Sequence, residues 1–544
     1  MQRVLACVLA GWVALSSTAC IRFHGAETDK TKIRIESGLL SGLLATGNNV
    51  IAYLGVPYAA PPVGDLRWKP PEPVKPWQGV RPCMEHACSC AQPDISTGSP
   101  PRLLNRSSED CLYLNIWTPV ERRGADLPVM VWIHGGGFVF GSGSNKEANG
   151  EELARKGVVV VNVNYRLGPF GFLAHPALSR ESPYHISGNY GLLDMIAALE
   201  WVKRNIRAFG GDPDRVTLFG ASAGATSILY LMVSPLAKNL FQRAIVQSAI
   251  IPAPTLHLRE ALHDRPSMER EGEHIAESLG VQSGPEALAK LRARSASDIL
   301  AVSDPVGRLF ARWGNCFAPV VDREVVPSDL MVAFSERLQQ HVPLIAGTNA
   351  DDGTPDVPLD AQTRALGELK DQIRAAFPDY AERVFALYAT EPVGDLLSQI
   401  QTDLTFITPA TVIANATSKT GQDTRTYMYH FTKASPGEYG RQPGAFHGSE
   451  IAFVFRNLQH KAQHASKVDR ALSGAMNAYW VQFAATGDPN GSELPSWPVY
   501  EEGDRQYLEL GETIRAGKDL HRRAVDLFET IFQRQRKDDL LLRP

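Results

Sequence analysis

One serine lies in a spacing that could make it a nucleophile. The pentapeptide Gly220–Gly224 reads G-A-S-A-G, with Ser222 at its centre. It follows the apolar run Val216–Phe219 and precedes Ala225–Met232, a run that is compatible with a helix. In a sharp strand–turn–helix connection, small neighbours let the backbone turn while the serine Oγ stands free. The pattern therefore predicts a nucleophilic Ser222 rather than an incidental serine in a glycine-rich turn.

A run of three glycines follows another apolar segment. His134, Gly135, Gly136 and Gly137 come directly after Leu127–Ile133, which reads LPVMVWI. Consecutive glycines let backbone N–H groups point into a cavity, where such donors can stabilise the oxyanion of a tetrahedral intermediate. A flexible turn is the alternative interpretation. Because each glycine motif follows an apolar run of strand length, the two motifs together favour nucleophilic catalysis.

Buried strands would have to position these two turns. The chain contains near-continuous apolar runs at Leu127–Ile133, Val158–Val163, Val216–Phe219, Ala244–Val246 and Pro343–Ala346. Such runs are typical of a parallel sheet that is buried on both faces. Between the second and third runs, apolar residues recur at helical spacing from Leu192 to Ile206. The alternation of buried strand and amphipathic helix predicts an α/β architecture.

Several further segments match the signatures of one enzyme family. They are Tyr53–Ala59, Leu66–Trp68, Glu109–Ile116, Asn164–Arg166, Gly188–Asp194 and Phe209–Pro213. With the two glycine motifs, they make roughly residues 31 to 510 resemble the type-B carboxylesterase/cholinesterase-like family. The resemblance implies an α/β-hydrolase fold with a mostly parallel central sheet flanked by helices. Residues 255–310 and 355–400 look helical and charged, so we expect inserted lid or surface elements there, and a terminal helix after Gly517.

The resemblance places the acid that would support Ser222. In the family this acid lies in an acid-acid-glycine segment after a buried strand, which corresponds here to Asp351-Asp352-Gly353. The second acid matches, so Asp352 is predicted and Asp351 is the alternative. The family usually has Glu at this place, and Asp shortens the reach by one methylene. Two solvated aspartates in a turn would be the purely structural interpretation.

The histidine is placed by motif and by order along the chain. Gly444–Glu450 is similar to the family's H-G-x-E segment, and it contains His447. Serine, then acid, then histidine is the order that this fold uses. The resemblance therefore selects His447 over His430 and His460.

These residues predict the hydrolysis of carboxylic esters through an acyl-enzyme. His447 Nε2 would take the Ser222 proton, and Asp352 would orient the imidazole. The expected oxyanion donors are the backbone N–H groups of Gly136, Gly137 and Ala223. The same chemistry would serve an amidase, a lactonase or a thioesterase. A non-catalytic, cholinesterase-like binding protein is a further alternative, disfavoured because serine, histidine and an acid are all present.

Other site residues follow from the resemblance. Ser248 matches a serine that supports the acid by a hydrogen bond. Ala221 departs from the family, since many relatives carry Glu beside the nucleophile. We therefore expect no preference for a cationic alcohol, and we favour small to medium esters with uncharged or aromatic groups. Phe138, Trp313 and Phe406 are candidates to line the pocket, against the alternative that they are core residues.

Four cysteines lie close together in the chain: Cys83, Cys88, Cys90 and Cys111. In an exported protein they could form one or two short-loop bridges. The segment around Cys111 resembles the family's disulfide-bearing strand motif, so the resemblance implies a bridge from Cys90 to Cys111. No His/Cys pair follows at finger-like spacing, and no metal site is predicted. Cys316 is expected to be a buried free thiol.

The N-terminus reads as a targeting segment. Arg3 precedes the apolar run Val4–Leu15, which is too short to span a membrane. Small residues before Cys20 suit cleavage at that point, and an uncleaved anchor is the alternative. Cys20 could carry a lipid or stay unmodified, because Ser17 stands where lipoproteins have a large aliphatic residue. We expect an exported protein that is periplasmic, secreted or lipid-anchored to the cell envelope. The predicted parts are a signal peptide (1–19), a tether (20–31) and a single catalytic domain (32–544).

The charge balance argues against nucleic-acid partners. The chain of 544 residues has a formal net charge of −4, and it shows no strong basic patch or Lys/Arg tract. The expected partner is a small-molecule ester, together with a membrane if Cys20 carries a lipid. No cofactor is expected, and the sequence specifies no oligomeric state.

Overall fold

The computed structural model describes residues 30–541, apart from 46, 48, 96–101, 122–124, 252–254, 263–264, 306–316, 354–366, 369, 372, 376–377, 390–392, 420–423, 435–443 and 459–464. Residues 31–544 form one compact unit. The predictions for the signal peptide, most of the tether, Cys20, Trp313, Cys316 and His460 fall outside the described residues.

A large sheet runs through the unit of residues 31–544. The described residues contribute 11 strands to this sheet. In chain order the strands are β1 (Leu43–Leu44), β2 (Val50–Pro57), β3 (Tyr113–Pro119), β4 (Leu127–Ile133), β5 (Val159–Val163), β6 (Gly211–Ala221), β7 (Arg243–Gln247), β8 (Leu344–Asn349), β9 (Thr426–Phe431), β10 (Gln506–Leu510) and β11 (Ile514–Lys518). Their spatial order is β11-β10-β9-β8-β7-β6-β4-β5-β3-β2-β1.

Most neighbours in this sheet are parallel. Pairing is parallel from β5 through β4, β6, β7, β8 and β9 to β10. The strands β3, β2 and β1 at one edge and β11 at the other pair antiparallel. The mostly parallel sheet that the sequence predicts is thereby confirmed. Shorter strands outside it are Lys32–Ile35, Gly38–Ser41, Val80–Pro82, Ser89–Cys90, Pro93–Asp94, Arg102–Leu103, Ser107–Ser108, Leu256–His257 and Val320–Val321.

The apolar runs form strands because both faces of the sheet are covered. Along β4, Val129, Val131 and Ile133 belong to one core cluster, whereas Met130 and Trp132 belong to another. Side chains of successive strand residues point to opposite faces, so each face of β4 lies against its own core. Each Val or Ile buried in this way contributes on the order of 1.5–3 kcal/mol of transfer free energy. The five predicted runs all coincide with strands, from β4 to β8.

Helices cover the two faces and extend beyond them. They are α1 (Glu151–Ala154), α2 (Gly168–Phe172), α3 (Pro176–Glu181), α4 (Tyr190–Asn205), α5 (Ala223–Val233), α6 (Met268–Ser278), α7 (Ala287–Arg292), α8 (Ala296–Ser303), α9 (Leu330–Ser335), α10 (Ala381–Leu387), α11 (Val393–Thr402), α12 (Thr408–Ser418), α13 (Ile451–Val454), α14 (Lys467–Thr486) and α15 (Arg522–Leu541). The helix predicted from Leu192 to Ile206 is α4, and the predicted terminal helix is α15. The segments expected to be helical inserts contribute α6, α7 and α8, and then α10 and α11.

Two of the four clustered cysteines form a disulfide in the described part of the chain. Cys90 and Cys111 are bonded, while Cys83 is a buried free thiol and Cys88 an exposed one. The second bridge that the sequence left open is therefore not formed. None of the helices in the described ranges combines the length and the apolar character that a membrane crossing needs.

Candidate active site

Ser222 occupies the turn between β6 and α5. Its backbone has φ 58° and ψ −128°, outside the region that a non-glycine residue ordinarily adopts. The Ser222 N–H donates to Gln247 O at 2.9 Å, and the Ser222 carbonyl accepts from Thr226 N at 2.9 Å. A Cβ on Gly224 would lie 2.0 Å from the carbonyl oxygen of Ile133, so only glycine fits behind the turn. The predicted strand–turn–helix geometry is present around the serine.

The three-glycine loop lies directly beside this turn. A Cβ built on Gly135 would be 2.9 Å from Ser222 Cβ. Gly136 has φ 111°, and a Cβ there would be 1.9 Å from Phe140 O. No other residue could hold this conformation without moving the loop. The sequence-predicted donors Gly136 and Gly137 are thus on a loop that adjoins the serine.

His134 anchors the start of the loop as a neutral ring. Its ring stacks on Tyr165 with centroids 4.4 Å apart, and the Tyr165 hydroxyl donates to His134 O at 2.9 Å. Burial lowers the pKa of His134 to about 4, which the hydrogen bond to the Gly135 carbonyl only partly offsets. An imidazole with this pKa carries no charge near pH 7, so the loop is held without adding a cation beside the predicted oxyanion donors.

Asp352 and His447 form a hydrogen-bonded pair. Asp352 Oδ1 lies 2.9 Å from His447 Nδ1; the Asp352 side chain is fully buried, and that of His447 is 29% exposed. Asp352 Oδ2 accepts from Ser248 Oγ at 2.7 Å and from Asn349 N at 2.7 Å. Both carboxylate oxygens are therefore engaged, which fixes the carboxylate and the ring nitrogen that faces it. The Asp351 carboxylate does not contact His447 in this way; it accepts a hydrogen bond from the backbone N–H of Ala445.

Neighbouring strands bring these groups to one edge of the sheet. Ser222 follows β6, Ser248 follows β7, and Asp352 comes three residues after β8. The pairs β6–β7 and β7–β8 are parallel and adjacent, so the carboxyl ends of the three strands meet. The carboxyl edge of a parallel sheet is where α/β proteins place their ligand sites.

A buried carboxylate that the sequence analysis did not single out joins the serine turn to the histidine loop. Glu450 is fully buried, and its two oxygens accept from Gln247 Nε2 at 3.0 Å and from Asn349 Nδ2 at 2.6 Å. Asn349 Nδ2 also donates to Phe446 O at 3.0 Å. The acid of the H-G-x-E segment was visible in the sequence, but its partners come from β7 and β8.

Two of the three aromatic candidates, Phe406 and Phe138, lie in the described residues, and their outcomes differ. Phe406 meets the His447 ring with centroids 4.9 Å apart, so it lies at the site. Phe138 is buried and packs edge-to-face on Phe172 at 5.3 Å, which is a core contact. Ala221 is also buried, at the end of β6.

The sequence matches a model of one protein family over residues 29–528, and the model is described as the carboxylesterase family. The chain belongs to the carboxylesterase family. This carboxylesterase is 37% identical over 515 residues to the fumonisin B1 esterase of Sphingopyxis macrogoltabida, covering 91% of this chain and 89% of that one. It is 38% identical over 493 residues to the para-nitrobenzyl esterase of Bacillus subtilis (strain 168), covering 87% of this chain and 94% of that one.

Solved structures agree with this placement of the carboxylesterase. A PNB esterase structure superposes with a TM-score of 0.76 at 34% sequence identity, covering 92% of this chain and 100% of that one. A thermophilic PNB esterase superposes with a TM-score of 0.77, also at 34% identity. The fold is the α/β-hydrolase fold, and the protein is an ester-hydrolysing enzyme.

Proposed function

We propose that this carboxylesterase cleaves its ester through an acyl-enzyme on Ser222, with His447 as general base and Asp352 as the group that orients it. The supporting observation is the Asp352–His447 contact of 2.9 Å, made by a carboxylate whose other oxygen accepts two further hydrogen bonds. Because Nδ1 faces Asp352, Nε2 is the nitrogen left to accept the Ser222 proton. Buried and saturated, Asp352 stabilises the imidazolium that forms as Oγ attacks the ester carbonyl.

The negative charge of the tetrahedral intermediate would be held by Gly136, Gly137 and Ala223. Ala223 is the first residue of α5, so its N–H lies at the positive end of that helix. The glycine loop adjoins the serine turn from the other side. Collapse of the intermediate expels the alcohol, whose oxygen takes the proton from His447. Water, activated by the same histidine, then releases the acid and regenerates Ser222.

The substrate class that we propose is a neutral ester of small to medium size, with aliphatic or aromatic groups. Ala221 puts a methyl group where many relatives carry a carboxylate, which removes an attraction for cationic alcohols. Phe406 places an apolar ring beside His447. Among the relatives, one is named for para-nitrobenzyl esters and another for fumonisin B1.

The test is the initial rate of hydrolysis of p-nitrophenyl esters of increasing acyl length. We expect Ser222→Ala to lower kcat by about 10⁴-fold or more, since the nucleophile is lost. Ser234→Ala is the matched control, because this buried serine lies just after the other end of α5. It should stay within about twofold of the wild type. A folded Ser222→Ala variant with the wild-type rate would overturn the mechanism, and matched p-nitroanilides would report amidase activity.

We also propose that the protein is exported, with cleavage before Cys20. The support is the charged start, the apolar run Val4–Leu15 and the small residues that precede Cys20. Intact mass of the mature protein, made in a bacterial host with an export pathway, tests this directly. A mass beginning at Cys20 supports cleavage, and an added diacylglycerol mass would show lipidation. An intact Met1 in the exported fraction would contradict cleavage.

A further inference from the structure

Three helices form a module with its own small core next to the catalytic sheet. Residues of α10, α11 and α15 share this cluster, which is separate from the two cores of the sheet. Its buried members are Ile373, Ala381, Val384, Tyr388, Leu396, Ile400, Ala524, Leu527, Phe528 and Ile531. The side chains of this cluster pack on one another, and Leu404 packs against them where the cluster adjoins the segment that leads to α12.

A buried carboxylate lies at this junction. The Asp403 side chain is 3% exposed, and it faces the residue before α15, since Asp403 Oδ1 is 2.5 Å from His521 Nδ1. Its other oxygen accepts from the Tyr388 hydroxyl at 2.7 Å. One carboxylate thus fastens together the end of α10, the end of α11 and the start of α15.

The surroundings favour a charged His521. Burial by itself would lower the pKa of His521, but the hydrogen bond and charge of Asp403 outweigh it, and the pKa is raised. The other ring nearby is that of His430, at 6.0 Å between centroids. Burial, with a smaller contribution from the charge of His521, lowers the pKa of His430 to about 3, so His430 is neutral near pH 7. His521 therefore binds a proton more readily beside Asp403 than an ordinary histidine does.

Asp403 also begins an irregular turn that reaches the catalytic groups. Residues Asp403–Ile407 form a π-helical turn between α11 and α12. Phe406 of this turn is the ring that meets His447 at 4.9 Å. Thr402, just before the turn, accepts on Oγ1 from the N–H of Gly353 at 2.8 Å. Because Gly353 follows Asp352, the segment Thr402–Ile407 contacts His447 through Phe406 and the neighbour of Asp352 through Thr402. π-turns of this kind are frequent at functional sites.

We propose that Asp403 and His521 are positioning residues for His447, because their pairing fixes the π-turn that presses Phe406 against the imidazole. This role rests on the proposed function, in which His447 is the base. Without the pair, the turn can relax toward a regular helix, Phe406 moves, and His447 samples orientations in which Nε2 no longer faces Ser222. Reactions of this type are sensitive to misplacement of about 1 Å.

The experiment compares two replacements of His521. His521→Leu removes the hydrogen bond and the charge, whereas His521→Asn offers Nδ2 as a donor in the place of Nδ1. Arg505→Leu is the matched control, because it breaks a different ion pair of the same helix, 2.7 Å from Arg505 to Asp526. Active sites are counted by covalent labelling with a fluorophosphonate, and kcat and KM for p-nitrophenyl butyrate are expressed per labelled site.

We expect His521→Leu to lower kcat per labelled site by about tenfold at a nearly constant KM, since the pair positions the base without binding the ester. His521→Asn should recover most of the loss, and Arg505→Leu should keep the wild-type kcat. A wild-type kcat per labelled site in His521→Leu would overturn the proposal. An equal loss in Arg505→Leu would also overturn it, because the effect would then be a general one of α15.

Two further variants keep the result interpretable. If His521→Leu does not fold, His521→Phe replaces it, since it keeps a ring at this position while removing the hydrogen bond and the charge. The same loss is expected from it, and its absence has the same meaning. Ser222→Ala is measured alongside. An active Ser222→Ala would contradict the proposed function, whereas an inactive Ser222→Ala with an unaffected His521→Leu would contradict the positioning role alone.

Discussion

Asp351 and Ala445 exchange two hydrogen bonds. The backbone N–H of Asp351 donates to Ala445 O at 3.0 Å, and the carboxylate of Asp351 accepts from the N–H of Ala445 at 2.7 Å. Ala445 lies two residues before His447, so the first acid of the acid-acid-glycine segment fastens the histidine loop to the end of β8. The second acid, Asp352, contacts the imidazole itself. Two adjacent aspartates thus have separate structural tasks.

The two aspartates should respond differently to the same substitution. Asp352→Asn keeps the shape but presents an amide to His447, which favours the wrong tautomer, and kcat is expected to fall by about 10⁴-fold. Asp351→Asn leaves an oxygen that can still accept from Ala445 N, and kcat should stay within about threefold of the wild type. Rates on p-nitrophenyl acetate, with circular dichroism as the control for folding, check both. Equal losses in the two variants would contradict the assignment of Asp352.

Acid should destabilise the fold through histidines that are buried in the neutral form. The pKa of His430 is lowered to about 3 by burial and by the charge of His521, whereas an unfolded histidine titrates near 6.5. Between these values the unfolded chain binds a proton that the folded chain does not. The free energy of unfolding should therefore decrease as the pH falls from 6.5, by about 1.4 kcal/mol per pH unit for one such histidine.

His430→Gln measures that contribution. Glutamine does not titrate and can keep a hydrogen bond to Thr348 Oγ1, which lies 3.2 Å from His430 Nδ1. Denaturant unfolding between pH 6 and pH 4.5 should show that the unfolding free energy of the variant falls less steeply with decreasing pH than that of the wild type. The difference between the two slopes should correspond to at most one bound proton. His341→Gln, a change at an exposed histidine, is the control. An unchanged slope in His430→Gln would show that His430 is protonated in the folded protein.

The disulfide should matter more for stability than the free thiols beside it. Cys90 and Cys111 are separated by 21 positions, and closing a loop of this size is worth roughly 3 kcal/mol in the chain-entropy model. The double variant Cys90→Ala/Cys111→Ala is expected to lose about that amount of unfolding free energy. Cys88→Ser, at the exposed free thiol, should lose almost none. A reductant should lower the Tm of the wild type and leave that of the double variant unchanged.

The strands of the sheet could be predicted where burial of both faces leaves an almost purely apolar sequence. The runs that became β4 to β8 are almost purely apolar, because both faces of each strand lie in a core. The strands β9 and β10 were not singled out. Thr426 and His430 interrupt β9, and Gln506 and Glu509 interrupt β10, so neither reads as a continuous apolar run. Their place in the sheet is set by their neighbours rather than by their own sequences.

The site could be predicted where its residues lie in local motifs. Ser222, the glycine loop and the H-G-x-E segment are each contiguous. In contrast, Asp403 and His521 are 118 positions apart, and neither lies in a motif. Their proximity depends on where α15 packs after the sheet is complete. No periodicity or spacing in the chain carries that information, and only the three-dimensional packing reveals the pair.

The strained backbone at Ser222 can be measured directly. A residue held at φ 58° and ψ −128° stores on the order of 1–3 kcal/mol, which glycine would release and alanine would not. Ser222→Gly and Ser222→Ala should both be inactive, but we expect the glycine variant to unfold at a higher denaturant concentration. The alanine variant is the matched control for loss of the hydroxyl. Equal stability of the two variants would show that the turn is not strained.

That strain also has a consequence for the history of such chains. At position 222, stability favours glycine, which suits the backbone of the turn, whereas catalysis requires serine, which supplies the hydroxyl. A descendant of this chain that no longer needed to cleave esters would gain stability by drifting to glycine there, with the rest of the scaffold intact. Glycine at this position would then indicate a protein that has lost esterase activity, even where the histidine and the acid are still present.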